Sequence, residues 1–316
     1  MPAGKERALR RRIRSVESTQ KITRAMELIA ASRIVRAQQA INAASPYTED
    51  MRHVVEELAG TPEARGHWVF AGTGDRPMVI VVGADRGLAG AFSVSVMRGA
   101  EELLRRLSER GRRPVLVGAG RKVSAYFRFR GVNLDAYFGG FADRPHFENA
   151  REIVAAVSEL IAQNGVGEIH LVSTRFLSLG SQRPVARRLV PIEPGEPSRG
   201  DQDRKAGTAP AAFEFEPGPG EIMDTLLPRW LEAEIYMALL QSAASFHVAQ
   251  QRAMKAATDN ADKLIKTLRR DMNRARQDSI TTEIMEIVGG AEALRASDAA
   301  GAASGRADVY VTPEAS

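Results

Sequence analysis

The chain has 316 residues, of which 44% are apolar and 26% charged, enough to bury a sizeable core. It contains no cysteine, which excludes disulfides, cysteine nucleophiles and thiolate metal ligands. Its five histidines lack the spacing of a helical ligand pair, so we expect no metal site. No cofactor is expected either. No apolar run approaches the ~20 residues that cross a bilayer, and no signal segment follows the basic start, so we expect a cytoplasmic chain.

The net charge of +5 is unevenly distributed along the chain. Residues 1–40 carry ten Lys or Arg against three Glu, and residues 249–276 carry eight against three Asp. This concentration predicts an acidic partner, although a solvated helix face would give the same pattern. Nucleic acid is a further alternative, but both segments lack the Trp and Tyr on which bases stack.

The first predicted element is a helix from about Lys5 to Ala44, because this stretch lacks glycine and proline and precedes Ser45-Pro46. At 1.5 Å per residue it would be roughly 60 Å long. Its apolar stripe consists of Leu9, Ile13, Val16, Ile22, Met26, Ile29, Ala30, Ile34, Ala37 and Ile41.

The middle of the chain alternates strand and helix patterns. Short aliphatic runs at 77–87, 113–120 and 168–176 alternate with helical patterns at 91–110, 121–129 and 147–163. This order predicts a small doubly wound, Rossmann-like α/β domain with a largely parallel sheet. RPVARRLVPIEP, residues 183–194, predicts an edge strand because of its prolines. Residues 193–220 combine Pro, Gly and charge and predict a surface loop.

The segment VGADRGLAG, residues 82–90, is the one that most resembles an enzyme motif. Its glycines fit neither the dinucleotide nor the P-loop pattern, so a strand-to-helix turn is the better interpretation. The carboxylates of this region, Asp75, Asp85, Asp135 and Asp143, have no His or Lys placed as an acid/base partner. We therefore expect no catalytic residues.

The last predicted element is one unbroken helix from about Arg229 to Val288, roughly 90 Å long. A helix of this length favours a coiled coil. Its apolar stripe consists of Ala257, Ala261, Leu264, Leu268, Met272 and Ala275. The predicted architecture is an antiparallel coiled coil of two terminal helices with the α/β domain inserted. The predicted regions are residues 1–59, 60–220, 221–294 and a disordered tail, 295–316.

The apolar face of the long helix changes direction between Ala275 and Ile280. At ~100° per residue it rotates by about a third of a turn, far more than the ~20° per heptad of ordinary drift. The helix is therefore predicted to change partners there. Asn273, Arg276 and Gln277 lie on the continuation of the second face, which favours a partner that offers specific hydrogen bonds. A solvated gap between two packed zones is the alternative.

Four segments carry a resemblance to a known family. They are TQKITRAMELIAASR (19–33), DRGLAGAF (85–92), MKAATDNADKLI (254–265) and ARQDSITTEIMEIVGGA (275–291). Together they resemble the gamma subunit of the F-type ATP synthase, from about residue 5 to residue 294. The resemblance implies a non-catalytic rotor whose two antiparallel helices enter a ring of alpha and beta subunits. The α/β domain would lie at the foot, against the epsilon subunit and the c ring, at the cytoplasmic face of the membrane.

The resemblance also implies particular contact residues. Positions matching Arg276, Gln277 and Thr281 hydrogen-bond to a loop of one catalytic subunit, and the position matching Met26 lies near the acidic lever of beta. Arg24 and Asn273 are expected to join these contacts. No nucleic acid and no small-molecule substrate is expected.

Four features depart from the family pattern. Asp278 stands where an alanine is usual, and Ala89 replaces a frequent cysteine. The loop 193–220 lacks the cysteines of redox-regulated plant chains. The 22 residues from 295 to 316 extend beyond the usual end, and we expect their removal to leave assembly intact.

Overall fold

A computed structural model describes residues 2–59, 66–72, 74–192 and 219–304. The helices are α1 (Pro2–Ala59), α2 (Trp68–Ala71), α3 (Phe92–Glu109), α4 (Arg121–Phe129), α5 (Phe147–Asn164) and α6 (Pro219–Ser304). The strands are β1 (Arg76–Val82), β2 (Val115–Ala119), β3 (Ala136–Phe138), β4 (Val166–Phe176) and β5 (Gln182–Val190). The chain forms two compact units, one of residues 1–24 and 256–316 and the other of residues 25–255.

The second unit, residues 25–255, contains one five-stranded sheet. Its strand order is β3-β2-β1-β4-β5; the first four strands are parallel, and β5 joins β4 in antiparallel orientation. The predicted doubly wound α/β domain is therefore confirmed. β5 is the edge strand expected from residues 183–194, and it accommodates Pro184 as an edge position can.

The two faces of the sheet have separate apolar cores, because alternate residues of each strand point to opposite faces. Met78, Ile80 and Val82 of β1 pack with α5 and with parts of α1 and α6. Val79 and Val81 pack on the other face, against α3 and α4. The result is a three-layer domain in which the two terminal helices supply part of one outer layer.

The terminal helices are longer than their proline and glycine punctuation predicts. The end expected for the first helix at Ala44 is wrong, because α1 continues through Pro46 to Ala59. An internal proline costs about 3 kcal/mol. Val55 and Leu58, both buried in the sheet core, offset that cost because packing rather than propensity stabilises most helices.

α6 likewise extends beyond its predicted ends. It begins at Pro219, contains Pro228 and Gly289, and continues to Ser304. The disordered tail expected from residue 295 is therefore not found over residues 295–304, which are helical. Residues 305–316 and the predicted loop up to residue 218 lie outside the described residues.

Candidate partner-binding surface

The first unit, residues 1–24 and 256–316, is built around a pair of antiparallel helical segments. Thr23 Oγ1 lies 2.8 Å from Thr258 Oγ1, and Gln20 Nε2 donates to Asp262 Oδ1 at 3.0 Å. Further along, Arg269 Nη2 donates to Glu17 Oε1 at 2.7 Å. The position on α6 rises as the position on α1 falls, which confirms the predicted antiparallel coiled coil.

The seam of this coil follows a regular heptad spacing. On α6 the seam positions are Thr258, Ala261, Ile265, Leu268, Met272, Ala275 and Ser279, and Ala257 beside them is half-buried too. Steps of three and four residues keep these side chains on one face. The predicted stripe was wrong at Leu264, which is 39% exposed, because Ile265 takes the seam position instead. On α1, Ile22 is also exposed, and the neighbouring Thr23 faces the seam.

Burial on α6 stops abruptly after Ser279. The pairs Thr23–Thr258 and Gln20–Asp262 show that each residue back along α1 corresponds to about one residue forward along α6. By the same count, and with the pair Glu17–Arg269 included, Ser279 falls opposite the first two turns of α1, which begins at Pro2. Every side chain from 280 to 297 is exposed. Within the described residues, no segment of the unit covers this part of the helix.

The uncovered end of α6 carries a large apolar surface. The exposed apolar side chains are Ile280, Ile284, Met285, Ile287, Val288 and Leu294, and Ile287 is 71% exposed. Contiguous exposed apolar surface of this kind marks an interaction site in a folded protein. The change of partner expected between Ala275 and Ile280 remains a prediction; the end of intrachain cover lies in the same place.

The expected contact residues of α6 lie on this uncovered segment or beside it. Asn273, Arg276, Gln277 and Thr281 are all exposed. Neither the side chain of Arg276 nor that of Gln277 has a hydrogen-bond or ion-pair partner among the described residues. Thr281 Oγ1 donates to Gln277 O at 3.0 Å, which leaves its lone pairs available to a donor. At ~100° per residue, positions 273, 277, 280, 284 and 288 share one face, so polar and apolar groups form a continuous surface.

Of the two expected contact residues of α1, one is exposed and the other is half-buried. Arg24, at the end of the first unit's N-terminal segment, is exposed. Met26, in the second unit, is half-buried. Asp278, the unusual residue beside Gln277, is exposed and accepts a hydrogen bond from Thr282 Oγ1 through its backbone oxygen at 2.8 Å.

Asp85, in the turn between β1 and α3, has a structural role. Asp85 accepts hydrogen bonds from the backbone nitrogens of Arg121, Gly140 and Ala142 at 2.8–2.9 Å. It thus ties the turn to the start of α4 and to the loop after β3.

In the described ranges, no three His, Asp or Glu side chains are grouped to hold a metal ion. Within the same ranges, none of the helices has the length and apolar character of a membrane span.

A buried charge cluster in the second unit was not predicted from the sequence. Glu234 of α6 is 1% exposed and pairs with Arg52 of α1, 2.8 Å from Nη2, and with Arg187 of β5. Burial raises the pKa of Glu234, but the guanidinium groups of Arg187 and Arg52 outweigh it and hold the pKa below its ordinary value. The one sequence signal was a glutamate inside an apolar run, EAEIYMALL.

Comparisons with known proteins agree with these features. The family model described as ATP synthase matches residues 5–294. The ATP synthase gamma chain of Frankia casuarinae is 47% identical over 300 residues, covering 92% of this chain and 98% of the relative. The gamma chain of Thermobifida fusca is 45% identical, covering 93% and 97%.

A solved structure shows the same fold at much lower identity. A chain in the structure of the Euglena gracilis mitochondrial ATP synthase (OSCP, F1 and c ring) has a TM-score of 0.62 and 14% identity, covering 99% of each chain. At that identity the match describes fold alone, whereas the curated relatives are similar over nearly their whole length. The chain therefore belongs to the family of ATP synthase gamma chains.

Proposed function

We propose that the chain is the rotor, or central stalk, of a proton-translocating F-type ATP synthase. It transmits torque between the c ring and the catalytic ring of alpha and beta subunits, and so couples proton flow to ATP synthesis or hydrolysis. The observation that carries this proposal is the uncovered end of α6. Its apolar side chains and the side chains of Arg276 and Gln277 are exposed and uncovered by any described part of the chain, which fits a helix end that works inside a ring of other subunits.

The contacts of the rotor with the catalytic subunits are made by Arg276, Gln277 and Thr281, with Asn273 beside them. A guanidinium and an amide on an otherwise apolar face form directed hydrogen bonds, which a purely apolar contact would lack. They can therefore bind one loop in one rotor orientation and release it in the next. Arg24 and Met26 of α1 contribute to the same coupling, with Met26 near the acidic lever of beta.

Coupling of this kind needs only a difference in contact energy between orientations. Three chemically identical catalytic sites adopt different conformations when an asymmetric rotor contacts each of them differently. A hydrogen bond to a charged group contributes about 1.5–3 kcal/mol, which biases a conformational equilibrium by roughly tenfold to a hundredfold. The chain itself contributes no catalytic residue. Its other partners are the epsilon subunit and the c ring, and it is held peripherally at the cytoplasmic face of the membrane.

The proposal is tested by substitutions in the assembled complex. Arg276→Ala and Gln277→Ala are expected to slow ATP turnover by about tenfold, because each removes one charged or directed hydrogen bond. The measurement is the ATP hydrolysis rate of complex purified from native membranes, with alpha and beta quantified by mass spectrometry.

Arg274→Ala is the matched control. Arg274 lies two residues before Arg276 and about 200° away around the helix. Its replacement by alanine therefore removes the same charge from the opposite side of the helix. We expect it to retain turnover. Normal turnover of both Arg276→Ala and Gln277→Ala in intact complexes would contradict their coupling role. Failure of the chain to co-purify with alpha and beta would contradict the rotor function itself.

A further inference from the structure

The topology of the α/β domain brings the ends of two helices to one edge of the sheet. α3 connects β1 to β2, and α4 connects β2 to β3, all three strands being parallel. Both helices therefore run back against the strand direction and end beside the amino ends of the strands. Residues 105–113 and 128–132, which include these helix ends and the following turns, are named the basic edge.

The basic edge is strongly cationic. It contains Arg105, Arg106, Arg110, Arg112, Arg113, Arg128 and Arg130, against a single carboxylate, Glu109. Three of these arginines are paired: Arg105 with Glu102 and Glu109, Arg112 with Glu168, and Arg130 with Glu101. The other four, Arg106, Arg110, Arg113 and Arg128, are exposed and have no carboxylate within ion-pair distance in the part of the chain that the structure describes.

An exposed aromatic side chain stands between these arginines. Phe129, the last residue of α4, is 89% exposed and is the most exposed large apolar side chain of the described residues. Phe127, two positions earlier, is fully buried against the sheet. Beyond Phe129 the chain turns away at Gly131, which has a φ of 72°. The phenyl ring thus projects from a helix end with charge on both sides.

The helix dipole accounts for only part of this arrangement. Cations stabilise the last turn of a helix, which explains arginines such as Arg106 and Arg128. It does not explain Arg113, which lies beyond the end of α3. Nor does it explain Phe129, which packs on little of its own chain. Cations flanking a projecting aromatic side chain are the pattern of segments that bind at the surface of an anionic membrane.

We propose that the basic edge binds the surface of an anionic lipid bilayer. Arg106, Arg110, Arg113 and Arg128 contact headgroup phosphates, and Phe129 inserts among the headgroups. A protein partner fits less well, because protein interfaces place an aromatic anchor within a wider apolar patch depleted of charge. Here the residues on either side of Phe129 are arginines, Arg128 and Arg130. This inference does not depend on the contacts proposed for the end of α6.

The test is vesicle binding by the full chain. Vesicles of phosphatidylglycerol mixed with phosphatidylcholine are compared with vesicles of phosphatidylcholine alone, with sedimentation as the measurement. Replacing the four unpaired arginines by glutamine is expected to weaken binding to the anionic vesicles by at least about tenfold, because each removed charge loses attraction to the surface. Phe129→Ser is expected to weaken it by about tenfold as well.

Matched controls are available at the opposite edge of the same domain. Arg121 and Lys122 begin α4 there, and Leu88 is exposed in the turn before α3. The double variant Arg121→Gln/Lys122→Gln and the variant Leu88→Ser should bind as the wild type does. Any vesicle binding by the basic terminal helices is the same in every variant. A difference between a basic-edge variant and these controls therefore reports on the basic edge alone.

A spectroscopic measurement separates insertion from loose attraction. Phe129→Trp should shift its fluorescence to shorter wavelength when anionic vesicles are added, and Leu88→Trp should not. Equal binding by the wild type and the four-arginine variant would overturn the proposal. So would loss of co-purification with the other subunits by that variant while its vesicle binding stayed normal, which would assign the basic edge to a protein partner.

Discussion

Two stretches of α6 have similar secondary structure but opposite surroundings. From Trp230 to Gln250 no side chain is exposed, whereas from Ile280 to Ser297 every side chain is exposed. Both stretches are rich in apolar residues. In the first, the sheet and α1 cover the helix on several sides. In the second, the chain offers no cover within the described residues. The difference teaches that apolar residues on one helix serve two purposes, folding of the chain and binding of other chains.

The largest expected effect on folding comes from Ile235→Ala. Ile235 is fully buried, so its truncation should lower the free energy of unfolding by about 2–5 kcal/mol. The matched change Ile287→Ala, on a side chain that is mostly exposed, should alter it by no more than about 0.5 kcal/mol. Urea denaturation of the isolated chain measures both. A loss at Ile287 as large as that at Ile235 would show that the end of α6 is covered by its own chain.

The buried charge cluster should give the next largest effect. Glu234→Gln leaves Arg52 and Arg187 without their shared carboxylate. Breaking a fully buried pair costs about 3–5 kcal/mol. Both guanidinium groups are partly exposed, so we expect about 1–2 kcal/mol here, measured by the same denaturation experiment. Unchanged stability would show that the cluster contributes nothing net.

The stability loss caused by Glu234→Gln should depend on pH, because the pKa of Glu234 is lowered in the folded protein. A carboxyl whose folded pKa lies below its unfolded value stabilises the fold above the unfolded pKa, about 4.3 for Glu. That contribution is lost as the pH falls through the folded pKa. The stability difference between the wild type and Glu234→Gln should therefore be constant near neutral pH and shrink in acid. A difference that grew in acid would contradict the direction of the pKa shift.

The smallest effect is expected from the exposed ion pair of the coiled coil. Glu17 and Arg269 are both substantially solvated, so a double-mutant cycle with Glu17→Gln and Arg269→Gln should give a coupling of about 0.2–1 kcal/mol. The coupling should fall as salt is added. A larger, salt-independent value would mean that this pair, rather than the apolar seam, holds the two helices together.

Much of the fold could be predicted because its signals are local and periodic. The β-branched runs of β1, β2 and β4 and the absence of glycine from much of α6 require no knowledge of distant residues. The helix ends could not be predicted in the same way. Pro46 is a local signal for a helix end, and it is overridden by Val55 and Leu58, which pack on elements distant in sequence. Local propensity is a weak guide where such packing decides.

The candidate surface was likewise predictable only where its signals are local in sequence. The change of face near Ala275 was visible in the sequence, and the residues from Ile280 to Ser297 are uncovered. The choice between Leu264 and Ile265 for the seam was not visible, since adjacent apolar residues both fit a helical period and the partner decides between them. Glu234 could not be found because its two arginines lie 182 and 47 residues away.

The hydrogen bonds across the coiled coil also fix which residues of the two helices stand opposite each other. Thr23 meets Thr258, and Gln20 meets Asp262. If α6 slipped by one heptad, the hydroxyl of Thr23 would face Ile265 and lose its partner. A polar pair in a coiled-coil seam specifies alignment in this way, at some cost in stability. Under torsional load, the two helices of the coiled coil would then turn as one body instead of sliding past each other.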